Sequence, residues 1–251
     1  MPATVVLLHG FAGTGRAWDP VIERLDRERY TPLAPDLRGH GAARDARPID
    51  FGAVVADVLA GAPPQFDLCG YSMGGRIALH VALAAPERVG RLILVATTAG
   101  IEDDSERAAR RAADEELAAF AETATIEQFA DRWTGQPLFA NTPPEAARTW
   151  REDLLRNDPR ALAAVLRGLG AGAMPPLWDR LPELTMPTAV VAGERDAKYV
   201  AIARDRLVPA IPHAELVIVP DAGHGLPREA PWAVAAAITR GRRTQSGLDG
   251  P

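Results

Sequence analysis

The sequence predicts an α/β fold: a mostly parallel, doubly wound sheet of about six strands carrying an inserted helical cap. Three features lead there. Short apolar runs alternate with stretches of helical periodicity from residue 1 to about 98. From about 99 to 180 the chain turns to Ala, Glu, Arg and Leu with almost no β-branched runs, and the alternation then resumes to about residue 240. Alternating strands and helices pair in parallel through right-handed crossovers, which cover both faces of the sheet and leave ligands to bind at the carboxyl ends of the strands. An all-helical block set into such a chain is most simply an insertion above the sheet.

In order, Val5 to Leu8 is an apolar, β-branched run ended by His9 and Gly10, a buried strand entering a turn. It lies close to the first residue. Trp18 to Leu25 has helical spacing, Thr31 to Ala34 is the second strand and Phe51 to Leu59 the next helix. Asp67 to Gly70 is the third strand, Met73 to Ala84 its crossover helix and Arg91 to Val95 the fourth strand. Within the cap, Pro143 and Pro144, Pro159, and Pro175 and Pro176 divide the block into about four helices. The first of them sets Ala109, Ala113, Leu117 and Phe120 on one face, with Asp103, Glu106, Arg107, Arg110 and Arg111 placed for charge pairs. Thr188 to Ala192 and Leu216 to Val219 return as strands, with helices expected at Val200 to Leu207 and Pro231 to Arg240. The expected division is core (1–98), cap (99–180), core (181–240) and a flexible tail (241–251).

Composition narrows the class of function. A chain of 251 residues, 47% hydrophobic and 24% charged, buries a sizeable core and is neither disordered nor fibrous. Its single cysteine, Cys69, allows no internal disulfide, and no Cys and His set has structural-zinc spacing. A net charge of −5 argues against a nucleic-acid partner. No apolar run approaches the roughly 20 residues needed to cross a bilayer, and the start lacks the basic flank of a signal peptide, so a cytoplasmic protein without a membrane partner is expected.

The chemistry concentrates at Gly70, Tyr71, Ser72, Met73 and Gly74. This Gly-x-Ser-x-Gly pattern falls between a strand and a helix, the setting of a nucleophile elbow, in which a sharp turn lifts the serine hydroxyl above the sheet at a helix N-terminus. A serine hydroxyl is too weak an acid to act alone and needs a base and a group that orients the base. His224 and Asp196 lie just past late strands, in the chain order serine, acid, histidine that accompanies such an elbow. Asp36, Asp221 and the nearer rival Glu194 compete for the acid role, while His9, His40, His80 and His213 have structural explanations in turns, on a helix or before a strand. The backbone amides of Met73 and Phe11 are the candidate oxyanion donors. Nothing in this arrangement calls for a metal or an organic cofactor, and none is expected.

These residues identify the chain as resembling the α/β-hydrolases over essentially its whole length. Within that superfamily it is similar to the MenH family, the 2-succinyl-6-hydroxy-2,4-cyclohexadiene-1-carboxylate (SHCHC) synthases of menaquinone biosynthesis. Leu8, His9, Gly10 and Phe11 with Gly13 and Trp18 carry the likeness, as do Gly70 to Arg76 and Gly193, Glu194, Arg195 and Asp196. In the cap it rests on Glu106, Arg107 and Ala108 with Arg110 and Asp114; on Phe129, Ala130 and Asp131 with Trp133; on Gln136 to Ala140; and on Leu155, Arg156 and Asn157. One position departs: family members commonly follow the catalytic histidine with Asn, where this chain has Gly225.

The resemblance implies a small anionic substrate bearing several carboxylates, from which pyruvate is eliminated, and such groups call for fixed guanidinium partners. Arg76, four residues after Ser72, comes one turn along the same helix face. By resemblance, Arg110 and Arg156 would hold further carboxylates, with Tyr71 and Trp133 lining the pocket. From the residues alone, Arg110 and Arg156 fit better on a solvated face paired with Glu106, Asp153 or Asp158, and Trp133 fits in a core. The same triad would also serve a carboxylesterase or a carbon–carbon hydrolase, and a binding protein could be built on this scaffold.

Overall fold

Every central strand of this chain is apolar on both faces, and both faces are covered. The computed structural model describes residues 2–140 and 142–240, so the tail expected over 241–251 lies outside the described residues. One sheet holds β1 (Ala3–Leu8), β2 (Tyr30–Leu33), β3 (Phe66–Tyr71), β4 (Val89–Val95), β5 (Thr188–Gly193) and β6 (Ala214–Val219). Their spatial order is β2-β1-β3-β4-β5-β6 and all pairs are parallel. Val6, Leu8, Leu68, Leu92 and Leu94 face one core, whereas the alternate residues Val5, Leu7, Cys69, Ile93 and Val95 face another.

Helices flank the sheet as the alternation requires. The predicted helix at Trp18 to Leu25 is shorter and opens as a 3-10 turn capped by Thr14, followed by α1 (Asp19–Ile22) with Pro20 in its first turn. Next come α2 (Phe51–Gly61), whose first turn is capped by Asp50, and α3 (Met73–Ala84), which is buried along most of its length. Between β4 and β5 stand α4 (Asp104–Thr123), α5 (Ile126–Thr134), α6 (Pro144–Leu154) and α7 (Pro159–Leu169). Pro144 and Pro159 open their helices, where a missing N–H costs nothing. Thr125 and Gln128 form a reciprocal cap on α5. After β5, α8 (Ala197–Ile202) begins earlier than expected because the Asp196 side chain caps it, and it continues through a π-helical segment (Ala203–Leu207) into α9 (Val208–Ala210). Then α10 (Leu226–Glu229) and α11 (Pro231–Thr239) close the described chain. No described helix is long and apolar enough to cross a membrane.

The apolar stripe of α4 is not its buried face. Asp114, Ala118 and Ala121 are its buried residues, while Ala109 and Ala113 are exposed and Leu117 and Phe120 half-buried. The reason is the cavity between cap and sheet: Ala113 and Leu117 line it, so their apolar stripe faces an open site and not a core. A helical period locates a stripe but does not say what the stripe faces.

The strand order reverses between β1 and β3, and at that switch point the two following loops part to opposite faces of the sheet and open a crevice. The loop after β1 and the turn after β3 therefore frame the site.

Candidate active site

Ser72 sits at the turn between β3 and α3 with φ 52°, a left-handed conformation that a side chain rarely adopts. Its neighbours make the turn possible. A Cβ on Gly70 would fall 2.3 Å from the Gly74 carbonyl oxygen, and one on Gly74 would fall 2.1 Å from that of Leu8. The strained residue is held by its amide donating to Val95 O at 2.9 Å and its carbonyl accepting from Thr97 Oγ1 at 2.8 Å. Met73 is the first residue of α3, so its amide has no intrahelical acceptor and points out of the helix N-terminus.

The structure brings Ser72, His224 and Asp196 together. The Ser72 hydroxyl donates to His224 Nε2 at 3.1 Å, and His224 Nδ1–H donates to Asp196 Oδ2 at 2.7 Å. His224 and Asp196 are both buried. The rings of Tyr199 and Tyr71 stand 4.7 and 5.5 Å from the imidazole and shield it from solvent. An imidazole that donates through one nitrogen to a carboxylate has its other nitrogen free to accept the serine proton, which is the arrangement a general base needs.

Other candidates are engaged elsewhere. Asp36 accepts from the amides of Gly15 and Ala42, both at 2.8 Å. Asp221 pairs with Arg195 at 2.6 Å, and Glu194 accepts from the Asp221 amide. His9 and His40 serve the loop after β1: His9 Nε2 accepts from the Leu37 amide at 3.0 Å and His40 Nε2 from the Ala12 amide at 3.2 Å. Burial pushes both imidazoles below their usual range, in keeping with neutral acceptors. His80 stacks on Phe51 and faces the Arg76 carbonyl, and His213 lies at the amino-terminal side of the sheet.

A model of the alpha/beta hydrolase family matches residues 5–238. The chain belongs to that family. A Bacillus subtilis (strain 168) relative, whose name provisionally assigns SHCHC synthase activity, is 34% identical over 239 residues, covering 90% of this chain and 85% of its own. The structure of MenH from S. aureus superposes with a TM-score of 0.85 at 32% identity, over 94% of this chain and 91% of that one. A pimeloyl-[acyl-carrier protein] methyl ester esterase from Nitrosomonas europaea is 31% identical and covers 88% of each chain. The hydrolase-fold enzyme is thus established, and its reaction depends on what the cavity selects.

That cavity, about 260 Å³, lies between the sheet and the cap and is lined by Ser72, His224, Phe11 and Met73 together with cap residues. Arg76 enters it from α3, buried to 8% exposure. Its Nη1 donates to the Leu169 carbonyl at 2.7 Å, and no carboxylate forms an ion pair with it among the described residues. Burial pushes this guanidinium down to about 10. Arg110 also lines the cavity, but its Nε is bonded to Asp114 Oδ1 at 2.8 Å and its side chain is 40% exposed. Tyr71 and Trp133 line the wall as well, and the Tyr71 hydroxyl and Trp133 Nε1 are buried without a protein partner among the described residues. Arg156 departs from its expected placement: it is exposed and stands outside the lining, because the turn after α6 directs Asn157, and not Arg156, inward.

Several residues at the site escaped the sequence reading. Tyr199 was hidden because a lone Tyr three residues past the acid carries no motif. Glu229 accepts from the amides of Gly223 at 2.6 Å and Gly225 at 2.9 Å, bracing both sides of His224. Its signal was available: an acid five residues after the histidine can reach back over a glycine-bounded turn. Gly225, where the family commonly has Asn, leaves space that Trp150 and Glu229 fill, since a Cβ there would fall 2.7 Å from each.

Proposed function

We propose that this enzyme is a carbon–oxygen lyase of the SHCHC synthase type, eliminating pyruvate from 2-succinyl-5-enolpyruvyl-6-hydroxy-3-cyclohexene-1-carboxylate. One observation carries the reading: the Arg76 guanidinium, one turn from Ser72, is buried in the cavity with no ion pair of its own among the described residues, the nearby Asp114 carboxylate being bonded to Arg110. A buried cation only partly compensated by the protein is costly, and an anionic ligand offsets that cost. A neutral ester gives it no such role. The names of the Bacillus and S. aureus relatives support the same substrate.

In this mechanism His224 accepts the Ser72 proton, oriented by Asp196, and the serine oxygen removes the proton next to the succinyl ketone. The electron pair of the broken C–H bond moves into a dienolate whose oxygen is met by the amides of Phe11 and Met73. Collapse of the dienolate breaks the ring C–O bond and releases pyruvate as its enolate, which takes up a proton. Arg76, with Arg110 at the rim, would hold carboxylates of the substrate, with Tyr71 and Trp133 lining the pocket. No acyl-enzyme is required.

The Nitrosomonas relative and the assembled triad favour a second reading, ester hydrolysis. One pair of assays separates them. Incubation with the enolpyruvyl substrate should release stoichiometric pyruvate, while p-nitrophenyl acetate should turn over slowly; rapid ester hydrolysis with no pyruvate would refute the lyase reading.

A further inference from the structure

The loop His9 to Thr14 carries the Phe11 amide, yet the core supports only part of it. Ala12 lies at φ 61° and is fully buried, and the cluster that buries it is that of the cap, with Phe129, Leu154 and Leu166. Its carbonyl accepts from Asn157 Nδ2 at 3.0 Å. Two residues on, the carboxylate of Asp153, on the last turn of α6, takes the Thr14 amide at 3.0 Å and the Thr14 hydroxyl at 2.5 Å. The same carboxylate accepts from Arg228 Nη2 at 3.1 Å, on the helix that follows His224. Asp153 and Arg228 are both nearly sealed, with side chains 4% and 10% exposed.

We infer that Asp153 is a positioning residue: through Thr14 and Arg228 it ties the cap to the oxyanion loop and to the histidine segment, so the cap holds the catalytic geometry as well as covering the substrate. The inference rests on the triad and oxyanion donors assigned above, not on the identity of the substrate. The physical argument is one of leverage. A carboxylate oxygen bonded to a backbone amide fixes that amide within a few tenths of an ångström, and Thr14 is three residues from Phe11 in a tight turn closed by the Gly13 amide on the Gly10 carbonyl. Without the carboxylate the loop has His40 and Asn157 on Ala12 and Asp36 on the Gly15 amide, but no side chain among the described residues holds the Thr14 amide itself. Oxyanion donors act only when aimed at the developing charge, so a shifted amide lowers the chemical step and leaves ground-state binding largely intact.

The test uses a fluorophosphonate that labels an activated serine, because its saturable inactivation separates binding (KI) from the chemical step (kinact) whatever the natural substrate. Asp153→Asn keeps the shape and one acceptor while ending the charge. Thr14→Val is isosteric and deletes only the hydroxyl, without uncovering Arg228, which guards against a variant that fails to fold. Asp153→Asn is expected to lower kinact by about 10- to 100-fold, short of the 10²–10³ lost on deleting an oxyanion donor, and Thr14→Val, which loses the hydroxyl contact and its cap on Arg16 but keeps the amide bond to Asp153, by less. KI should stay within about 3-fold, and the double variant should be no slower than the slower single variant, as for residues acting through one contact. A kinact equal to that of the wild type in folded Asp153→Asn and Thr14→Val protein, or a change in KI alone, would overturn the positioning role while leaving the triad standing. A wild-type enzyme whose Ser72 does not label at all would overturn this inference together with the triad.

Discussion

Two turns frame the cavity, and they are held in place by different means. The turn at Ser72 is fixed mainly by its own backbone and that of the sheet: carbonyls of Leu8 and Gly74 crowd the glycines on either side, the Val95 carbonyl takes the serine amide, and one side chain, the Thr97 hydroxyl, donates to the serine carbonyl. The loop at Phe11 is fixed by side chains from elsewhere, namely His40 from the core and Asp153 and Asn157 from the cap. Steric exclusion fixes a position whatever the pH or ligand, whereas hydrogen bonds to side chains can be weakened by protonation or by motion of the element that carries them. The fold therefore places Ser72 rigidly, whereas the loop at Phe11 is held in part by the helices inserted above the sheet.

The largest expected effect strikes the rigid turn. Gly74→Ala puts a methyl group 2.1 Å from the Leu8 carbonyl oxygen and 2.6 Å from that of His9, both backbone atoms that cannot rotate away. Chemical denaturation should show a loss of about 3 kcal/mol or more, or no soluble protein. A stable Gly74→Ala enzyme would mean that the elbow yields more readily than its contacts indicate.

A smaller effect is expected where the two regions meet at Arg76, which rises from the rigid helix and is tied to the cap through Leu169. Arg76→Met keeps the packing volume and removes the charge. It should cost about 10- to 100-fold in kcat/KM for a carboxylate-bearing substrate, the range of a charge-assisted hydrogen bond, and much less for a neutral ester. Equal losses on both substrates would assign Arg76 to structure alone.

The smallest effect concerns pH. Burial holds His9 and His40 below their usual 6.5, so the unfolded chain binds protons more readily than the folded one once the pH drops below about 6.5. Their contribution to stability is complete above that value and declines as the pH falls through and below it. The usual carboxylates, near 4.5, have not yet begun to titrate in the upper part of that window. The thermal midpoint should therefore drop between pH 7 and pH 5.5. His80 is lowered by burial as well but lies outside the loop, so a His80→Gln variant should keep most of the drop. A midpoint that is flat or rising over this interval would show that the loop does not depend on neutral imidazoles.

Much of this was legible before any coordinates. The six parallel strands, the helical block between the fourth and fifth, and the glycine-bounded serine all show as local patterns, because strand and helix periods and turn sterics depend on residues close together in the chain. His224 and Asp196 could be singled out by their places after late strands, and the structure brings them to hydrogen-bond distance of one another and of Ser72. What the apolar stripe of α4 faces was not legible: Ala113 and Leu117 share one side of the helix, and that side looks into a cavity. Arg156 and Asn157 are adjacent and equally polar, and only the turn after α6 decides that the amide goes inward and the guanidinium outward.

By itself, then, the sequence determined the sheet, the elbow and the order of the catalytic groups, since each follows from contacts within a few residues or from the rules of parallel crossover. The tertiary structure alone decided which of two arginines is left without an ion pair among the described residues, that Asp114 bonds Arg110, and that an aspartate on the cap grips a threonine 139 positions earlier. Burial and charge pairing are properties of what meets in space, and for side chains so far apart the chain has no local period or steric rule that records the meeting.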